Sequence, residues 1–192
     1  IVYDGNLRRI SMLHPDDGFA RSYLVGTEGG GFPVAIGVTN EGGLAVGGGM
    51  FFSSTGGFPR GPVRPNSRYV ILAPDGSVRG DLGEVPAAEM FARTGDGMFQ
   101  ASSLPFGRRT AAAVGQDRFW LGTGDEWEVL GYTLDAELAR IVRFDRPRMR
   151  VTESLRDAYL AEQLADVDDG NEAREIRNQL ADVPSPDLVP PY

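Results

Sequence analysis

The sequence predicts a mostly-β fold: consecutive four-stranded antiparallel blades forming part of a β-propeller ring, followed by a helical hairpin. Three observations carry that expectation. A turn recurs at a fixed period: Leu13-His14-Pro15-Asp16-Asp17-Gly18 and Leu72-Ala73-Pro74-Asp75-Gly76 lie about sixty residues apart, and Tyr132-Thr133-Leu134-Asp135-Ala136-Glu137 is a decayed copy about sixty residues further on. A period of that length marks a repeat architecture in which each unit buries its face against the next. Strand-like runs flank each turn with no helix between them, as in propeller blades. After about residue 144 the texture changes to apolar positions at helical spacing.

In chain order, the apolar and β-branched runs place strands near residues 1–4, 9–13, 19–25, 34–38 and 44–46. Further strands are expected at 68–72, 78–82, 110–114, 119–121, 128–133 and 138–144. Glu28-Gly29-Gly30-Gly31 reads as a flexible connection. The Gly, Pro and Ser content of residues 51–65 argues for a long irregular loop. Residues 84–108 lack periodicity and read as a further connection. The count is about two and three-quarter blades over 1–144, with 34–38 and 110–114 as innermost strands. Ile1 already reads as strand, so the chain is expected to begin inside a blade and its end blades to expose apolar faces. In 145–192, Leu155, Tyr159, Leu160, Leu164 and Val167 share one helical face, with Thr152 as N-cap. Ala173, Ile176, Leu180 and Val183 share the face of a second helix, with Asn171 as its expected cap, before a proline-rich connection.

Composition narrows the chemistry. The 192 residues include no cysteine, which excludes disulfides, thiolate catalysis and zinc-thiolate sites. All nineteen basic residues are arginine, so no lysine is present for Schiff-base chemistry. A net charge of −8 argues against non-specific nucleic-acid binding, which needs a basic footprint. No apolar run approaches the length of a membrane span. Neither composition nor the first residues settle the compartment.

The segment Val2-Tyr3-Asp4-Gly5-Asn6-Leu7-Arg8-Arg9-Ile10, followed by the Pro-Asp-Asp-Gly turn, resembles NHL-type six-bladed propellers. Pro105-Phe106-Gly107-Arg108-Arg109 and Gly122-Thr123-Gly124-Asp125, with an insert opening at Val151-Thr152 and closing at Pro191-Tyr192, resemble uncharacterised bacterial proteins of that kind. The resemblance implies that the chain is about half of a ring and that another blade follows Tyr192. It implies no particular activity, and fold alone does not license one.

In such blades the blade-to-blade connections and second-to-third strand loops share one face, which holds residues 28–32, 53–66, 103–109, 123–127 and the hairpin. A protein or small-molecule ligand is expected at that channel-mouth face. Arg60, Arg64, Arg108 and Arg109 are either an anion clamp there or partners of Asp125, Glu126 and the acidic hairpin. Asp125 and Trp127, in Asp125-Glu126-Trp127-Glu128, complete the candidate binding residues; that run reads either as calcium ligands or, better, as loop and edge positions. Asp166-Val167-Asp168-Asp169-Gly170-Asn171-Glu172 has its glycine one place early for an EF-hand, and Arg177 stands where the late glutamate belongs, so it reads as a capped interhelical turn. His14 reads as a turn histidine, and Gly47-Gly48-Gly49 is not followed by the helix a phosphate loop needs.

The leading expectation is therefore a non-catalytic binding propeller, with no catalytic residue, metal or cofactor assigned. The alternative is a calcium-dependent lactonase or hydrolase of the six-bladed kind. That enzyme needs inward acidic or amide residues at the innermost strand starts, whereas these read Pro33-Val34-Ala35 and Arg109-Thr110-Ala111. The hairpin, with eleven acidic and six basic residues over 145–192, is expected to lay its apolar stripe on the adjacent loops and narrow access to them, with acidic residues near Arg64, Arg108 or Arg109.

Overall fold

Among the described residues the chain forms fourteen strands and two helices. The computed structural model describes residues 2–14, 16–24, 33–51, 59–95, 98–115 and 117–191. The first sheet is a meander of β1 (Val2–Asp4), β2 (Arg9–His14) and β3 (Gly18–Leu24). The second takes β4 (Pro33–Val38), β5 (Leu44–Phe51), β7 (Asn66–Leu72) and β8 (Val78–Pro86) in that order. The third is β11 (Ala111–Val114), β12 (Arg118–Gly122), β13 (Glu128–Thr133) and β14 (Leu138–Arg143). All pairings are antiparallel, and each sheet is open.

These sheets pack face to face in chain order, and strand alternation shows why. In β5, Leu44 and Val46 project to one side and Ala45 to the other. In β7, Val70 and Leu72 join the first group while Tyr69 and Ile71 join Ala45. A strand with apolar residues on both faces must be covered on both. Ile10 of β2 closes the first cluster, and Phe119, Leu121 and Leu134 close the second. Tyr69 and Phe119 meet with ring centroids 5.8 Å apart. The first strands of the two four-stranded sheets are neighbours: the Gly37 backbone lies against the side chain of Val114. By contrast Phe19 and Leu24 of β3, and Leu138 and Ile141 of β14, are exposed.

The recurring turn is a recurring hydrogen-bond pattern. Ala73 N–H donates to Ser77 O and Gly76 N–H to Ala73 O; Thr133 N–H donates to Glu137 O and Ala136 N–H to Thr133 O. The Thr39–Gly43 turn uses the same pair of bonds. Gly76 and Ala136 both have positive φ, 89° and 64°, so the decayed copy keeps the geometry although its glycine is gone. These turns lie together: Arg79 reaches both Glu41 and Asp135, and Arg21 donates to Pro74 O. Gly80 lets the second and third sheets touch by backbone, since a Cβ there would stand 2.6 Å from Leu134 O. Gly47 lies inside β5 under the Tyr69 ring, which gives that glycine a packing role.

Two segments read as irregular contain strands. Residues 84–108 hold β9 (Met90–Gly95) and β10 (Met98–Ser103), and the 51–65 segment holds β6 (Gly61–Val63). Together they form a fourth sheet in the order β10-β9-β6. β6 is only three residues and holds Gly61 and Pro62. The sequences of β9 and β10, Met90-Phe91-Ala92-Arg93-Thr94-Gly95 and Met98-Phe99-Gln100-Ala101-Ser102-Ser103, carry no strict period-2 alternation, and the pairing of β6 with β9 is a long-range tertiary contact. The 28–32 connection and residues 53–58 of the 53–66 loop lie outside the described residues.

Helix α1 (Glu153–Leu164) starts at Thr152, whose hydroxyl accepts from Leu155 N–H. Helix α2 (Gly170–Ala181) is capped by Asp169 rather than by Asn171: the Asp169 carboxylate accepts from Asn171 N–H at 2.8 Å. The Asp166–Glu172 segment is thus a capped interhelical turn. The two ends of the insert are tied together, with Val151 N–H on Asp187 O and Val189 N–H on Met149 O. No helix residue is fully buried. Twelve-residue helices are marginal alone, so their docking contacts decide whether they persist.

Candidate functional site

The end of the stack opposite the recurring turns is where β7 begins and where the 104–110 and 123–127 segments run. β7 spans about 20 Å, which separates the two ends. A chain of ion pairs ties this end together. Arg64, with its side chain only 14% exposed, donates from Nη1 to Asp125 Oδ1 at 2.7 Å, from Nε to Ala87 O at 2.9 Å, and from Nη2 to Thr123 O. Arg108 reaches the same Asp125 oxygen at 2.8 Å and holds Glu89 with its guanidinium and its backbone N–H, the latter at 2.7 Å. Glu89 in turn places the loop, its N–H donating to Arg108 O and its carbonyl accepting from Leu104 N–H.

Burial raises the pKa of Glu89, but the hydrogen bonds from Arg108 and the charges of Arg108 and Arg64 outweigh it, and the carboxyl titrates below its ordinary value. Asp125 follows the same balance: burial pushes it up, while Thr123, Arg64 and Arg108 bring it down further. A carboxyl whose pKa is depressed on folding adds stability above its unfolded pKa and loses it as pH falls through the folded one. The chain is therefore expected to lose stability as pH falls below about 5, where these carboxyls begin to take up protons in the unfolded chain. The Glu89→Gln variant should show a shallower fall of the thermal midpoint over that range than the wild type, and an unchanged slope would remove Glu89 from the balance.

Of the six predicted residues, Arg64, Arg108 and Asp125 come together, as partners rather than as an open clamp. Arg60 and Arg109 are exposed and make no ion pair among the described residues. The Arg109 backbone is packed beneath Gly124, where a Cβ would stand 2.8 Å from Arg109 O. Trp127 is half-buried beside a hollow lined by Glu128, Arg143 and Arg148. The carboxylates proposed as calcium ligands are already engaged by arginines: Asp125 by Arg64 and Arg108, Glu126 by Arg148 at 2.9 Å, Glu128 by Arg143 at 2.6 Å. Among the described residues no group of three or more His, Asp or Glu side chains assembles as a metal site. No helix of the described residues is long and apolar enough to cross a membrane.

The hairpin docks beside this cluster, but not through the expected arginines. Arg93 of β9 donates to Gln179 O at 2.9 Å and lies 3.9 Å from Asp182. Arg64 and Arg108 are occupied by Asp125 and Glu89; of the hairpin's acidic residues Asp182 meets the neighbouring sheet, while Asp187 lines a common hollow with Arg108. The apolar contact is as expected: Tyr159 packs on Phe106 with ring centroids 5.5 Å apart. Tyr159 and Leu180 line a common hollow with Pro105 and Phe106. Glu89, Arg93 and Arg148 were not singled out from the sequence. Glu89 and Arg93 sit in the segment read as irregular, and no local pattern marks their partners. The chain matches no family model, no curated protein and no solved structure.

Proposed function

We propose that this chain is part of a six-bladed, NHL-like propeller, and that the end carrying Arg64, Arg108, Asp125 and Trp127 is a non-catalytic binding face. The observation that carries the reading is the cross-bracing of that end. Glu89, Arg108, Asp125 and Arg64 link the end of β8, the 104–110 turn and the 123–127 loop into one arrangement. Bracing of this kind preorganises a surface and lowers the ordering cost of binding. The face-to-face stacking of three sheets in chain order supports the propeller half of the reading. The hairpin frames one side of the face and restricts access to it.

Amide exchange measured with and without small carboxylates and a mixed peptide pool tests this reading. Protection is expected in residues 104–109 and 123–127, with the turns at 39–43, 73–77 and 133–137 unchanged. Protection confined to those turns would place binding at the wrong end. Calcium-dependent turnover of lactones or esters would replace the non-catalytic reading with the hydrolase one.

A further inference from the structure

The hollow between the hairpin and the 104–107 turn, about 400 Å³, falls within the size range of small-molecule sites. One wall is aromatic and apolar, with Phe106, Tyr159, Leu160 and Leu180. The lining also includes Arg156 and Arg177, with Asp157 as its one acidic residue. Arg64, Arg93, Arg108 and Arg148 nearby are each held by a carboxylate. Arg156 and Arg177 are exposed and have no ion-pair partner among the described residues. Although the hairpin is acidic as a whole, the lining of the hollow holds two arginines against one aspartate, a local excess of one positive charge that a carboxylate would complement.

A second observation comes from the backbone. Leu104 to Gly107 form a turn closed by Gly107 N–H on Leu104 O, with Pro105 second and Phe106 third. Phe106 has φ +54°, the left-handed region that this turn position normally gives to glycine. A bulky residue held there costs stability and is retained where its side chain has a task. Here the task is to place the ring on Tyr159 in the wall of the hollow.

We propose that this hollow binds a small organic carboxylate with an aromatic or short acyl body, the body against Phe106 and Tyr159 and the carboxylate on Arg156 and Arg177. The proposal deepens, and rests on, the reading of this end as a binding face. The test is calorimetric and NMR titration of the full chain with 4-phenylbutyrate, its neutral amide, and acetate. Phenylbutyrate should bind saturably, with the amide and acetate each at least about tenfold weaker, because a charge-assisted contact and a buried ring each contribute roughly that factor. Arg156→Gln with Arg177→Gln should weaken phenylbutyrate at least about tenfold, and as exposed positions they should leave the fold intact. Phe106→Gly should unfold cooperatively at a midpoint no lower than wild type by more than a few degrees, yet lose affinity, because the turn relaxes as the ring is lost. Equal binding of acid and amide, or full affinity in the double-arginine variant, overturns the site. Shifts at Arg60, Arg109 and Trp127 with none at Phe106 overturn this site while leaving the wider binding face standing.

Discussion

Replacing Phe119 with alanine is expected to lower stability by about 3–5 kcal/mol, the range for emptying a fully buried aromatic site. Phe119 is 0% exposed and sits where the second and third sheets meet, against Tyr69. For a chain of this size the loss corresponds to a fall of roughly 6–20 °C in thermal midpoint. Phe19→Ala is the control, because Phe19 is 63% exposed, and its effect should stay within about 1 kcal/mol. Chemical denaturation of both variants checks the contrast. Equal effects would mean that the stack of sheets does not share the core described for it.

Arg64→Met is expected to cost about 2–4 kcal/mol, because one substitution removes one of the two guanidinium partners of Asp125, leaving only Arg108 on it, and the donor to two backbone carbonyls. The estimate sits below that for a fully buried pair, since Asp125 is 37% exposed and water screens part of the interaction. Arg60→Gln and Arg109→Gln, which break no ion pair among the described residues, should each change stability by less than about 0.5 kcal/mol. A double-mutant cycle of Arg64→Met with Asp125→Asn separates their coupling from the carbonyl contacts. A neutral Arg64→Met would show that the bracing contributes nothing to the order of this end, and with it the argument for a preorganised face.

These expectations separate what local sequence encodes from what the assembled chain decides. The repeat was legible because a turn is a local object: the spacing of Asp75-Gly76 and Asp135-Ala136 foretells the same two backbone bonds in each turn. The apolar, β-branched run Tyr69-Val70-Ile71-Leu72 announced a strand, and Thr152 announced the start of α1. The cap of α2 falls on Asp169 rather than Asn171, two residues further on, because both residue types suit the role and the helix begins early enough for the Asp169 carboxylate to accept from Asn171 N–H.

Partnership, by contrast, is settled by the assembled chain. Four arginines were candidates for one clamp, and nothing in their spacing tells which will find a carboxylate. Arg64 and Arg108 converge on Asp125 across 61 and 17 residues of chain, while Arg60 and Arg109 beside them remain at the surface. The β6–β9 pairing and the seating of the hairpin on Arg93 are of the same kind. Turns and strand faces follow from the stereochemistry of neighbouring residues, and so they could be read locally. Ion pairs and sheet edges are settled by which distant groups arrive within a few ångströms once the sheets have stacked, and that depends on the summed packing of the whole chain.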